Sequence, residues 1–222
     1  MENMFCFQCE QTAGGKGCAA AQGVCGKKQD TALLQDKLTG ALIGLARTAN
    51  NNVPDAAATR AIIEGLFATV TNVSFDSTAI RRQIDEVHAE KAKLPGCACC
   101  SSGCGNDYDM KELWNDNEDI RSLKSLILFG MRGMAAYAFH ALMLGYTDDK
   151  VNSFFYKGLL AVGSNLDMND LLPLVMETGK ANLKCMELLD RANTETYGTP
   201  VPTTVPLTIE KGPFIVISGH DL

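Results

Sequence analysis

The first long helical pattern in the chain is DTALLQDKLTGALIGLA, residues 30–46. Leu34, Leu38, Leu42 and Leu45 recur at steps of three and four residues, which places them on one face of an α-helix. Asp30 precedes this run, and aspartate is a residue type that commonly caps a helix N-terminus. The pattern therefore predicts an amphipathic helix that begins near residue 30 and directs a leucine face into a core.

Five further helical patterns follow. They begin at Pro54-Asp55, near Asp76, at Asp119, at Asp149 and at Asn169, and end near Asn72, before Pro95, near Leu144, at Val162 and near Ala192. Short connections favour antiparallel neighbours, so the first three and the last three helices each predict a three-helix bundle. The predicted fold class is mainly α, with two packed bundles over residues 30–196.

The tail changes character after residue 196. A Pro-rich linker comes first, and then Phe214-Ile215-Val216-Ile217, a continuous β-branched and aromatic run. Such a run is typical of a strand buried on both faces of a parallel sheet. A buried strand needs partner strands for its backbone groups. Residues 197–222 are therefore predicted to be a linker and the first strand of a truncated α/β domain.

Composition and charge argue against several classes of protein. Hydrophobic residues make up 46% and charged residues 21% of the 222 residues, as in ordinary globular proteins and unlike disordered or collagen-like chains. The formal net charge of −6 argues against nucleic acid or an anionic membrane as the main partner. Apolar runs are interrupted well short of about 18 residues, and no secretory signal opens the sequence. We therefore expect a cytoplasmic protein.

Nine cysteines in such a chain favour metal ligands or redox thiols over disulfides. Four of them lie in residues 1–29, which are predicted to form a Cys-rich loop: Cys6, Cys9, Cys18 and Cys25. Four thiolates suit tetrahedral zinc or an iron–sulfur cluster. Nearby glycines and Lys16, Lys27 and Lys28 favour the cluster, because glycine lets N–H groups approach the sulfurs and lysine offsets negative charge. Two alternatives remain open for these cysteines: a loop stabilised by zinc, and a set of thiols that bind no metal.

Several motifs resemble those of the hybrid-cluster (prismane) proteins, a family of hydroxylamine reductases. The most specific are Met4-Phe5-Cys6-Phe7-Gln8-Cys9-Glu10-Gln11-Thr12, then Gly17-Cys18 and Gly23-Val24-Cys25-Gly26-Lys27, and finally Ile217-Ser218-Gly219-His220-Asp221-Leu222. Supporting likenesses lie at residues 34–36, 65–72, 117–123, 133–137, 188–190, 192–194 and 197–198. The resemblance covers nearly the whole chain.

The resemblance implies that the four N-terminal cysteines hold a cubane [4Fe–4S] cluster, or a [2Fe–2S] cluster as in a second subgroup of the family. The eight residues between Cys9 and Cys18 resemble the [4Fe–4S] branch, although the six before Cys25 are one more than expected there. It further implies that His220 is one ligand of a hybrid [4Fe–2S–2O] cluster, whose other ligands, several cysteines and two glutamates, come from later in the chain.

The family reaction converts hydroxylamine, two electrons and two protons into ammonia and water, and the family is also linked to nitric oxide reduction. The four-cysteine cluster is expected to relay electrons from a reductase or ferredoxin-like donor to the hybrid cluster. Because one imidazole cannot hold a four-iron centre, the chain alone is expected to lack hydroxylamine reductase activity. The alternative is a non-catalytic zinc- or iron–sulfur-binding helical module for protein interaction or electron transfer.

The remaining cysteines have weaker signals. Cys97, Cys99, Cys100 and Cys104 lie together in a Gly/Ser-rich stretch with no counterpart expected in the family at this place. An exposed reduced loop is favoured over a second metal site there, because adjacent cysteines rarely ligate one small ion; both readings stay open. Cys185 lies in an apolar helical pattern and is predicted to be buried and structural.

Overall fold

The structure is a computed structural model that describes residues 4–9, 13–49, 55–70, 73–94, 106–209 and 211–216. These residues form seven α-helices and no strand. The helices are α1 Gln29–Ala49, α2 Ala56–Ala68, α3 Ser77–Lys93, α4 Met110–Trp114, α5 Glu118–Met143, α6 Asp149–Val162 and α7 Met168–Tyr197. The mainly α prediction is confirmed.

Acidic side chains explain where several helices begin. Asp55, Asp76 and Asp148 accept hydrogen bonds from backbone N–H groups in the first turns of α2, α3 and α6, and Asp167 does so for α7. Each cap satisfies donors that the first helical turn otherwise leaves unpaired.

Helix α1 contacts α2, α3, α4 and α6. The predicted leucine face is buried, and so are Gly40, Ile43 and Ala46 on other sides of the helix. Because neighbouring helices contact α1 on several sides, packing holds its backbone in place, and with it the polar side chains that α1 directs toward the N-terminal loop.

The helices form two groups: α1, α2 and α3 contact one another, and so do α5, α6 and α7. Helix α2 packs against α5 and α1 packs against α6, so one continuous hydrophobic core joins the two groups. Leu42, Ile62, Met131 and Phe155 are among its fully buried side chains. The domain boundaries at residues 29/30 and 196/197 remain predictions.

The tail does not show the expected strand at residues 214–216. The exposed fractions of Phe214, Ile215 and Val216 are 59%, 92% and 88%. A strand needs a partner for its backbone N–H and C=O groups, and the part of the chain that the structure describes offers none there. Residues 217–222, which include Ile217 and His220, lie outside the described residues.

Helix α5 is long and apolar enough to cross a membrane by length and composition, with a mean hydropathy of 1.4 over its most apolar window. In the structure α2, α6 and α7 pack against it, and 44% of that window is buried. Core helices of globular folds meet the same criterion, so the criterion is weak support for a membrane span.

Candidate metal centre

The four predicted cysteine ligands lie on the loop that precedes α1. Cys6 and Cys18 are neighbours on adjacent segments: the N–H of Cys6 donates to the carbonyl of Cys18 at 3.0 Å, and the N–H of Cys18 donates to the carbonyl of Cys6 at 2.8 Å. The N–H of Gly23 donates to the carbonyl of Lys27 at 2.8 Å, which forms a turn around Cys25. These backbone bonds fold the loop back on itself.

The thiols differ in burial. Cys6 and Cys18 are buried, whereas Cys9 and Cys25 are half-buried, and all four are free. Burial raises the pKa of Cys6 to about 11, against the opposing effect of the Lys27 charge. In the metal-free protein Cys6 is therefore protonated at neutral pH, and a metal centre that binds it must release its proton.

Glycines allow close packing in this loop. Gly17 has a φ of 101°, in the left-handed region that favours glycine, and a Cβ there would lie 2.7 Å from the nearest ring carbon of Phe5. A Cβ on Gly23 would lie 3.5 Å from the sulfur of Cys25. A side chain at Gly17 would therefore be strained and would displace the ring that flanks Cys6.

Lys27 is the one of the three predicted charge-offsetting lysines that is buried beneath the loop, whereas Lys16 and Lys28 are exposed. Its side chain is 3% exposed. The ammonium donates hydrogen bonds to the side-chain carbonyl oxygens of Gln8, at 2.7 Å, and Gln35. Burial lowers the pKa of Lys27, and the nearby Cys6 and Cys25 act in the opposite direction. Lys27 thus lies within electrostatic reach of two of the four cysteines.

Gln8 and Asp36 extend this polar network. The side-chain amide of Gln8 donates to the carbonyl of Ala32 at 2.8 Å and to the carboxylate of Asp36 at 2.7 Å. Desolvation raises the pKa of Asp36 to about 6, although the bond from Gln8 and the charges of Arg132 and Lys27 favour its ionised form. Asp36 supplies one negative charge at neutral pH, close to two cations.

Arg132 reaches the loop from α5, and its residue is 3% exposed. Its Nη1 donates to the backbone carbonyl of Gln8 at 2.6 Å, and its Nη2 to the hydroxyl of Thr39 at 3.3 Å. Its Nε is buried and has no hydrogen-bond partner. Burial lowers the pKa of Arg132 to about 10, while Asp36, Cys6 and Cys9 act in the opposite direction. Arg132 therefore stays charged at neutral pH, and one of its donors is buried without a partner.

Aromatic side chains cover the segment that carries Cys6. The ring centroids of Phe5 and Phe7 lie 4.9 and 4.4 Å from that of Trp114, and the Phe7 centroid lies 6.0 Å from that of Phe129. The guanidinium of Arg121 lies 4.6 Å from the centre of the Trp114 ring. These contacts tie both neighbours of Cys6 to α4 and α5.

The structure does not assemble a compact single-ion site. Within the described ranges, no three Cys, His, Asp or Glu side chains are close enough to hold one metal ion. His220 and the group Cys97, Cys99, Cys100 and Cys104 lie outside the described residues. Cys185 is fully buried and its thiol donates to the carbonyl of Met134 at 3.5 Å, so the prediction that it is buried is confirmed.

The sequence pattern predicts a role for the cysteines and Lys27, which stays a prediction, and it did not indicate the buried polar side chains beside the loop. Gln8, Gln35 and Arg132 are 4%, 0% and 3% exposed, although such residue types are mostly found at surfaces. One signal was available for Arg132, because it is a lone charge in the apolar middle of α5, flanked by Met131 and Gly133.

The sequence model of the Prismane/CO dehydrogenase family matches residues 4–222. The chain therefore belongs to this family, and the resemblance to prismane proteins is confirmed. Membership implies iron–sulfur clusters, in line with a loop of four free thiols beside buried cations.

The similar proteins are named hydroxylamine reductase. The chain is 43% identical to that of Thermodesulfovibrio yellowstonii over 99% of this chain and 45% of the relative. It is 41% identical to that of Porphyromonas gingivalis over 100% of this chain and 44% of the relative, and 42% identical to that of Solidesulfovibrio magneticus over 99% and 45%. The chain thus spans less than half the length of the curated relatives it matches.

Proposed function

We propose that this chain is the electron-carrying N-terminal region of an oxidoreductase of the hydroxylamine reductase type. Cys6, Cys9, Cys18 and Cys25 hold an iron–sulfur cluster, [4Fe–4S] rather than [2Fe–2S]. When bound, such a cluster supplies reversible one-electron transfer. The observation that carries the proposal is that four free thiols lie on one loop beside two buried cations, Lys27 and Arg132, and that Arg132 has an unsatisfied buried donor.

The residues of the loop fit a cluster chemically. Thiolates are the ligands that iron–sulfur clusters use, and four of them bring more negative charge than a cluster core neutralises. Lys27 and Arg132 provide positive charge on the buried side of the loop. The Nε of Arg132 is a donor that hydrogen-bonding to sulfur would satisfy.

The full protein would use this electron supply to reduce hydroxylamine to ammonia and water, with nitric oxide reduction as a second reaction. In this proposal His220 is one ligand of a hybrid [4Fe–2S–2O] cluster, and its other ligands are outside the 222 residues. The electron donor is a reductase or a ferredoxin-like protein, and the protein works in the cytoplasm. The net charge of −6 supports a partner other than nucleic acid or an anionic membrane.

Metal analysis of the chain tests the cluster. The chain is purified without oxygen and its iron, acid-labile sulfide and zinc are measured, together with its visible absorption. Single serine substitutions of Cys6, Cys9, Cys18 and Cys25 are expected to lower iron content strongly. Cys185→Ala is the matched control, because Cys185 is a buried cysteine of α7 that does not belong to the N-terminal loop. This variant is expected to retain iron.

Three outcomes contradict the proposal. A colourless protein that carries zinc in place of iron would favour the non-catalytic helical module. Iron-free protein whose four thiols react freely with an alkylating reagent in the folded state would exclude any metal at the loop. Iron that disappears only when Cys97, Cys99, Cys100 and Cys104 are all replaced by serine would assign the metal to that segment.

A further inference from the structure

Lys27 and Arg132 are two cations withdrawn from water beside the cysteine loop, each 3% exposed. Buried charges are costly unless they are paired. Yet the hydrogen bonds of Lys27 go to two neutral amide oxygens, and those of Arg132 to a carbonyl and a hydroxyl. Within the described residues neither cation forms a salt bridge, and the only carboxylate whose charge acts on both is Asp36.

The metal-free loop therefore holds more buried positive than negative charge. Two cations face one carboxylate, and desolvation disfavours the ionised form of that carboxylate. The Nε of Arg132 adds a buried donor without an acceptor. A negatively charged acceptor at the loop would meet both needs. Arg132 binds the carbonyl of Gln8, the residue before Cys9, and Lys27 lies two residues after Cys25, so both cations are next to cysteine-bearing segments.

We propose that Lys27 and Arg132 offset the charge of the thiolate-bound cluster and set its reduction potential. This inference rests on the proposed function, because it requires a cluster at the four cysteines. Reduction adds one negative charge to a centre that is already negative. A fixed positive charge nearby therefore stabilises the reduced form more than the oxidised form, and does so strongly where water is excluded.

The first test compares Lys27→Met with Lys28→Met and Lys27→Arg in the iron-loaded 222-residue chain. Methionine keeps much of the length of lysine without its charge. Lys28 is the matched control, since it is adjacent but exposed, and water screens its charge. An anaerobic redox titration, followed by visible absorption and electron paramagnetic resonance, measures the potential of each variant.

We expect Lys27→Met to shift the equilibrium toward the oxidised cluster tenfold or more, which is about 59 mV more negative for a one-electron couple. The reduction potentials of Lys28→Met and Lys27→Arg are expected to differ from that of the unmodified chain by only a small fraction of this shift. Arg132→Met is expected to act like Lys27→Met, and Arg132→Lys to preserve most of the potential, because it keeps the charge.

A variant that cannot retain the cluster is still informative. Cluster loss in Lys27→Met and Arg132→Met, with helical circular dichroism unchanged and the cluster kept in Lys27→Arg and Arg132→Lys, supports the role of charge. Equal loss in the neutral and the charge-preserving variants would assign these residues to packing and overturn the proposal. So would equal potentials in all iron-loaded variants.

The inference and the proposed function fail in different ways. If the unmodified chain binds no iron at its four cysteines, the proposed function falls, and this inference falls with it. If the unmodified chain binds the cluster but the potentials do not follow the charge at positions 27 and 132, only the inference falls.

Discussion

Replacing Gly40 by alanine is expected to destabilise the protein, although alanine is the better helix former. Gly40 lies in α1 where residues 106–109 cross the helix, and its carbonyl accepts a hydrogen bond from the N–H of Tyr108 at 3.0 Å. A methyl group at Gly40 would overlap the carbonyl oxygen of Tyr108 and lie 3.3 Å from its carbonyl carbon. Backbone cannot rotate away as a side chain can, so either α1 or the crossing segment must move.

Overpacking of this kind costs about 1–3 kcal/mol. At about 2–4 °C per kcal/mol for a chain of this size, the melting temperature should fall by about 2–12 °C. Gly179→Ala in α7 is the matched control, because a Cβ there has no heavy atom within 4 Å. It should gain about 0.4–1 kcal/mol and raise the melting temperature.

Thermal unfolding followed by circular dichroism at 222 nm compares the two variants with the unmodified chain under the same metal-free conditions. Opposite signs are the expected result. If Gly40→Ala melts at or above the temperature of the unmodified chain, the close crossing of residues 106–109 over α1 is not a feature of the folded protein in solution. A fall in Gly179→Ala equal to that in Gly40→Ala would show that neither effect is steric.

Two further predictions concern activity and acid stability. With a reduced dye and hydroxylamine, the iron-loaded 222-residue chain should show no turnover above a cluster-free control; clear turnover would contradict a hybrid cluster completed by residues outside this chain. Partial burial disfavours the ionised form of the Asp107 carboxylate and so raises its pKa. Hydrogen bonds from Lys91 and His88 together have a larger, opposite effect and hold the pKa of Asp107 below its usual value. Asp107→Asn should therefore lower stability by roughly 0.2–1 kcal/mol near pH 5. The difference in the free energy of unfolding between this variant and the unmodified chain should disappear as the pH falls through the lowered pKa, below 3.8. Denaturant-induced unfolding at several pH values measures it, and a difference that persists at lower pH would contradict the prediction.

The helices were predictable because their signals are local. The predicted bounds of α6, Asp149 and Val162, match the structure, since Asp148 supplies a cap and the apolar spacing ends at Gly163. Helix α7 was predicted to end near Ala192 but continues to Tyr197, where Gly198 at a φ of 88° ends it. The apolar face indicates where a helix is buried, but a helix can continue beyond its buried part until a residue stops it.

The surroundings of the site were less predictable because they depend on long-range packing. Periodicity marked one face of α1 as buried, yet α1 is buried on several sides because neighbours from both helix groups contact it. A glutamine such as Gln35 is ordinarily a surface residue. It is buried here because its amide donates to the carbonyls of Ala68 and Ser74, at 3.2 and 2.8 Å, and its oxygen accepts from Lys27.

The same network makes the loop dependent on the helices. Arg132 on α5 binds the carbonyl of Gln8, 124 residues earlier in the chain, and Lys27 is held by Gln35 on α1. Arg132 therefore reaches the N-terminal loop only when α5 is packed in the helical core, and the desolvation of both cations is a cost that this core must cover in the metal-free protein. A negatively charged centre would recover part of that cost. Loading the loop and stabilising the helix packing are therefore linked. Core substitutions that loosen α5 against α2 should weaken metal retention without touching a ligand, and metal loading should raise the melting temperature of the whole helical unit.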